Sequence, residues 1–166
     1  MLTAKSKTQK LAFTALFTAA VLAVTTFVRV PVPATQGGYI NLGDAVIFAA
    51  AFLLGGPLAA AAAGIGSGLA DLLAGAVVYV PGTIIIKALM ALAAGAIIRR
   101  GGLVRYIIAA VLGGAIMVAG YALYEAAVFD WAYALGAIPF NCIQWGGSVV
   151  ISAALYGAVR KVRGND

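Results

Sequence analysis

The chain has 166 residues, 64% hydrophobic and 10% charged, with a formal net charge of +6 and a mean hydropathy of +1.06. A soluble domain carries about 25% charged residues, so this composition excludes one and indicates an integral membrane protein. A single cysteine, Cys142, excludes an internal disulfide, and the lack of histidine removes the usual proton shuttle and the commonest metal ligand.

Met1 to Lys10 is a polar start with Lys5, Lys7 and Lys10, and Leu11 to Val28 is the first apolar run of spanning length. The run ends in Arg29 and Pro31 rather than at a small-residue cleavage site, so it reads as a mature helix and not a signal peptide. Ala15, Ala19 and Ala23 make a smooth stripe along it. Such stripes let helices approach closely in lipid, although an alanine-rich chain also makes them by chance. Two X-Pro steps predict extended backbone from Arg29 to Pro33. Gly37 and Gly38 predict a tight turn. Asn41 is a candidate cap for the next helix, with Asp44 in its positively polarised first turn. The segment 29–41 is then either a connector or a lid over a pocket, with Gly37, Gly38, Gly43 and Asp44 setting its geometry.

Residues 42–54 form a second, short apolar segment, which Gly55-Gly56-Pro57 breaks. Residues 58–73 form the third, 74–80 a small loop, and 81–98 the fourth, with Pro81 suited to its first turn. Arg99, Arg100 and Arg105 bracket a glycine turn before the fifth segment, 106–129. Asp130 to Ala137 is expected to be an aromatic loop, and 138–159 the sixth span. The expected fold is all-α: one six-helix transmembrane domain over residues 1–166. Six spans put both termini on one side, together with Lys5, Lys7, Lys10, Arg99, Arg100, Arg105, Arg160, Lys161 and Arg163. The positive-inside rule makes that side cytoplasmic. Four of the five acids, Asp44, Asp71, Glu125 and Asp130, fall in the outer half.

Ionisable groups within a bilayer are costly and usually face a partner or a cavity. Lys87 lies about 9 Å below the outer end of its helix, and Glu125 is at a similar depth. Tyr121, Tyr124 and Glu125 share one helical face, and Asn141, Gln144, Trp145 and Ser148 repeat the spacing on the last helix. These faces meet at one level beneath Tyr39 and Asn41, which describes an outward-opening pocket for a small, flat, polar molecule. The alternative is structural: Lys87 paired with Glu125 or Asp71, and Asn141 and Gln144 acting as interhelical glue. Tyr79, Trp131 and Tyr133 read as interfacial belt residues.

No G-x-x-x-x-G-K-[ST] motif is present, so ATP hydrolysis through a P-loop is excluded. Gly64-Ile65-Gly66-Ser67-Gly68 looks like a phosphate loop but lies in an apolar span, where helix packing explains it. A serine–histidine hydrolase is impossible, no residue cluster resembles a metal site, and no cofactor is expected. The positive-inside distribution accounts for the basic charge without nucleic acid.

The motifs Gly38-Tyr39-Ile40-Asn41-Leu42-Gly43-Asp44 and Gly66-Ser67-Gly68-Leu69-Ala70-Asp71, with Thr83 to Lys87 and Asn141 with Gln144, make the chain resemble a known family. It is similar over essentially its whole length to the substrate-binding S components of energy-coupling factor (ECF) transporters, in the riboflavin-type branch that includes hydroxymethylpyrimidine and pyridoxine proteins. The resemblance implies a non-enzymatic vitamin-binding subunit in a bacterial or archaeal plasma membrane. It implies a lid after the first helix, and docking of the Ala15, Ala19, Ala23 face onto a membrane T component that joins two ATPases. Pyridoxine or hydroxymethylpyrimidine is the expected ligand, with riboflavin, or a non-transporting assembly subunit, as alternatives.

Overall fold

The computed structural model describes residues 6–33, 35–98 and 101–163. Among them the chain forms α1 (Lys7–Phe27), β1 (Arg29–Pro31), β2 (Tyr39–Asn41), α2 (Gly43–Leu54), α3 (Gly56–Ala74), a 3₁₀ turn (Val77–Tyr79), α4 (Val80–Ile98), α5 (Leu103–Val128) and α6 (Trp131–Arg163). Five helical segments are long and apolar enough to cross a membrane: Lys7–Phe27, Gly56–Ala74, Val77–Ile98, Leu103–Val128 and Trp131–Val162. Leu16, Ile65, Leu69, Ile85, Leu123 and Val150 point outward from these helices. So large an apolar surface requires a covering solvent of its own kind, which a bilayer supplies.

The short helix α2 is the axis of the bundle. Its 12 residues rise about 18 Å, less than the roughly 30 Å hydrocarbon core. It packs against each of the other five helices, and Ile47, Phe48 and Ala50 are fully buried. A helix that is apolar all round has no solvent face and is driven to the centre. The glycines of the phosphate-loop look-alike serve packing. Gly64 and Gly68 lie against Ile84 of α4, and Gly66 lies against Thr18 and Val21 of α1.

At one end of the bundle Phe52, Tyr106 and Tyr156 form an aromatic cluster, with ring centroids 5.3 to 5.8 Å apart. Arg105 adjoins this cluster, Arg160 and Lys161 follow Tyr156, and Lys7 and Lys10 open α1 at the same end; all five are exposed. Lys5, Arg99 and Arg100, which the charge argument also uses, lie outside the described residues, as does the side chain of Arg163.

Two segments differ from the sequence expectation. The stretch 29–41, expected to run extended to Pro33 and turn tightly at Gly37 and Gly38, does so and also closes into a hairpin. Arg29 pairs with Asn41, Val30 with Ile40 and Pro31 with Tyr39, antiparallel. The turn is held by Val32 N–H donating to the Gly38 carbonyl (3.0 Å) and Thr35 Oγ1 donating to the Val32 carbonyl (2.7 Å). Gly37, at φ +84°, supplies the left-handed residue the turn needs. The second difference is α6, which starts at Trp131 and absorbs the expected aromatic loop. Asp130 caps it: Oδ1 accepts from Tyr133 N–H at 2.8 Å, and its carbonyl accepts from Ala134 N–H at 3.2 Å. The helix continues through Pro139. That proline forgoes one backbone bond, which membrane helices tolerate where neighbours cover the gap.

Candidate substrate-binding site

A cavity lies between the hairpin, the ends of α3 and α5, the start of α4 and the start of α6. Its empty space, with the open mouth and the solvent there included, is about 490 Å³. Of the residues singled out from the sequence, Tyr39, Asn41, Tyr121, Glu125, Asn141 and Gln144 line it, together with Gly37 and Gly38 of the hairpin turn. The sequence reading missed Thr83 and Phe140 as lining residues and took Tyr79 for a belt residue; all three are on the wall. Asp71, left open between ligand contact and ion pair, lines the cavity as well.

Lys87, Tyr124 and Trp145 do not line it. Lys87 forms an ion pair with Asp44, not with Glu125 or Asp71, and both partners are almost completely buried. The sequence placed Asp44 at the helix start as a dipole-matched residue; α2 is central, so its first turn faces α4 instead of water. Tyr124 turns toward the 3₁₀ segment, where its hydroxyl donates to the Val78 carbonyl at 2.5 Å and its ring lies over Gly82. Trp145 packs its indole on Gly114 of α5, where a Cβ would overlap the ring. Successive residues on a helix point about 100° apart, so Gln144 reaches the cavity and its neighbour Trp145 does not.

The floor of the cavity and the hairpin are one hydrogen-bonded unit. Gln144 Nε2 donates to Asp44 Oδ2 at 2.7 Å, and Lys87 Nζ donates to Asp44 Oδ1. Gln144 Oε1 in turn accepts from the Asn41 N–H of β2 at 2.8 Å. Asn41 Oδ1 accepts from Gly43 N–H at 2.9 Å, so Asn41 does cap α2, from one residue before the N-cap, Leu42. Gly43 sits directly against Thr25 of α1, leaving no room for a side chain.

Two phenols latch the hairpin to the cavity wall. Tyr39 donates to Asp71 Oδ1 at 2.5 Å. Burial pushes the Tyr39 phenol above its ordinary pKa, Asp71 adds to the rise, and Arg29, whose guanidinium lies 5.6 Å from the ring centre, opposes it. Tyr39 therefore stays a hydrogen-bond donor at physiological pH. The second latch is a directed chain. Gln36 N–H donates to Tyr133 Oη at 2.7 Å, Tyr133 and Tyr79 share a 2.8 Å bond, and Tyr79 donates to Glu125 Oε1 at 3.3 Å. Tyr133, expected in the aromatic belt, is thus part of the roof, whereas Trp131 is exposed. After these bonds, Asp71 Oδ2, Glu125 Oε2 and Asn141 Nδ2 are buried without a partner among the described residues. All three belong to residues that line the cavity.

A membrane-spanning helical bundle with a polar cavity beneath a hairpin near one end has the architecture of a membrane-embedded binding protein. The family described as ECF-type riboflavin transporter, S component, matches residues 5–161, and the chain belongs to that family. It is a substrate-binding component of a vitamin importer, a class that works with a T component and ATPases and is not itself enzymatic. A Pyrococcus woesei protein, described as an uncharacterized protein in a gap 3′ region, is 31% identical over 145 residues, covering 86% of this chain and 95% of its own. The crystal structure of the S-component for biotin from an ECF-type ABC transporter superposes with a TM-score of 0.76. It covers 100% of this chain and 96% of that one at 17% identity, which establishes the shared fold.

The latch makes a direct prediction. Tyr133→Phe removes the acceptor for Gln36 and the donor to Tyr79, at a net cost of about 1 kcal/mol for a neutral hydrogen bond. Amide exchange across residues 35–39 is expected to rise about fivefold while exchange in α2 stays unchanged. Unaltered hairpin exchange would show that the tyrosine chain does not hold the lid.

Proposed function

We propose that the chain is the high-affinity S subunit for a compact aromatic heterocycle, pyridoxine or hydroxymethylpyrimidine, in a bacterial or archaeal plasma membrane with both termini cytoplasmic. The observation that supports this reading is the cavity wall. Tyr79, Tyr121 and Phe140 supply aromatic faces, and three unpartnered polar atoms belong to lining residues. The family's description favours a second reading, riboflavin, whose three fused rings and polyol tail make a larger ligand. Ligand carried through purification and identified by mass spectrometry tests both. A pyridine or pyrimidine vitamin is the expected result and a flavin selects the second reading. A competent preparation that binds neither, before or after ligand is added, would leave only an assembly subunit.

The partner in this proposal is the T component, docked on α1. Ala15 and Ala19 are exposed and Ala23 half-buried, so the small-residue face of α1 points away from the bundle. Close backbone approach is a source of association in lipid. Ala15→Trp or Ala19→Trp is expected to abolish co-purification with the T component and uptake, and to leave ligand binding by the isolated chain within about twofold, α1 contributing no residue to the cavity. Normal assembly by both variants would move the docking face elsewhere.

A further inference from the structure

The charges around the cavity do not balance. Asp71 on α3 and Glu125 on α5 are on its wall, 5% and 4% exposed. Tyr39 from β2, Tyr79 from the 3₁₀ turn and Tyr121 from α5 are neutral phenols; α6 contributes the amides Asn141 and Gln144, and Tyr133 above them. The nearest interior cation, Lys87 of α4, lies over the Tyr121 ring and is taken by Asp44 of α2. Arg29 of β1 is exposed and engages the ring of Tyr39. Among the described residues no cation lines the cavity. Each wall carboxylate accepts one phenol on one oxygen, with Thr83 also beside Asp71, and its second oxygen has no hydrogen-bond partner among the described residues.

We infer that this cavity holds its ligand as a cation, a heterocycle protonated on a ring nitrogen, and excludes the carboxylate and phosphate-ester forms of the same ring. The inference rests on the proposed heterocycle reading and adds the charge state. Two carboxyl groups in a low-dielectric site are costly as unpaired anions. A ring N–H⁺ against a carboxylate oxygen is a charge-assisted hydrogen bond of the strong kind. The pair formed is the same whether the proton arrives on the ring or passes to it from the carboxyl group, and no other bond changes. The two phenols fix which oxygen is presented. An anionic substituent meets two acids and no cation, because the Asp44–Lys87 pair has removed the only ammonium near enough to receive it.

The test uses the full chain in detergent and calorimetric titration of matched probes. The pyridoxine ring bearing a 4-carboxamide and the same ring bearing the isosteric 4-carboxylate differ in charge and hardly in shape. Hydroxymethylpyrimidine with its phosphate, and riboflavin with its 5′-phosphate, give two further pairs. The expected result is binding of the carboxamide at least a hundredfold tighter than the carboxylate, with Glu125→Gln or Asp71→Asn narrowing that ratio at least tenfold. A ratio below tenfold in the unmodified chain overturns the inference, whether or not the variants fold. Binding of riboflavin with no pyridine or pyrimidine overturns the heterocycle reading and, because the flavin ring is too weakly basic to be protonated, the cation with it, whereas pyridine binding with a carboxamide-to-carboxylate ratio below tenfold overturns the inference alone. Binding of no neutral ring overturns both.

Discussion

The rest of the structure depends on the buried ion pair between Asp44 and Lys87. Both side chains are at most 3% exposed, inside a bundle whose outer surface is apolar. A charge in that setting survives only when it is paired and further hydrogen-bonded. Lys87 meets that condition through Asp44, and Asp44 meets it through Lys87 and Gln144. The pair thus fixes the start of α2 against α4 and α6. Because Gln144 uses its amide N–H groups on Asp44, its oxygen is turned toward β2, where it takes the Asn41 N–H. One electrostatic requirement in the core therefore sets where the hairpin's second strand lies.

The same pair shapes the chemistry of the cavity above it. With Lys87 neutralised, the wall is left with Asp71 and Glu125 as its ionisable acids, each steadied by a tyrosine that belongs to the lid or to its latch. Hairpin and cavity wall consequently share groups: Asp71 and Glu125, which line the cavity, also accept the hydrogen bonds that hold the hairpin down.

Much of this was legible in the sequence. Apolar run lengths located six helices, since periodic hydrophobicity and glycine or proline breaks are local properties. The meeting of Tyr121 and Glu125 with Asn141 and Gln144 followed from depth along each helix. Spacing groups residues on a broad face but does not fix how that face is turned, which is why Tyr124 and Trp145 were grouped with neighbours that line the cavity while they pack on α4 and α5. The partner of Lys87 was missed for a related reason. Asp44 carries a complete local explanation as a first-turn acid. Only the central position of α2 shows that this turn has no water to face. The uniform hydrophobicity of residues 45–54 was the available signal, since a helix without a polar face must be enclosed. The start of α6 was hidden by Trp131 and Tyr133, which suggest an interfacial loop, although Asp130 followed by Tyr133 is a capping arrangement in itself.

The most direct measurement of this account is a double-mutant cycle on the pair. Asp44→Asn, Lys87→Met and the double variant are unfolded in one detergent, and their affinities for pyridoxine are measured alongside. Asn at position 44 keeps an acceptor for Gln144, so the cycle isolates the charge. Each single variant should lose about 3–5 kcal/mol, the cost of leaving one buried charge unpaired, and the double variant should recover much of that loss. Losses that simply add in the double variant would contradict the account, because they would mean that Asp44 and Lys87 hold the fold independently of each other.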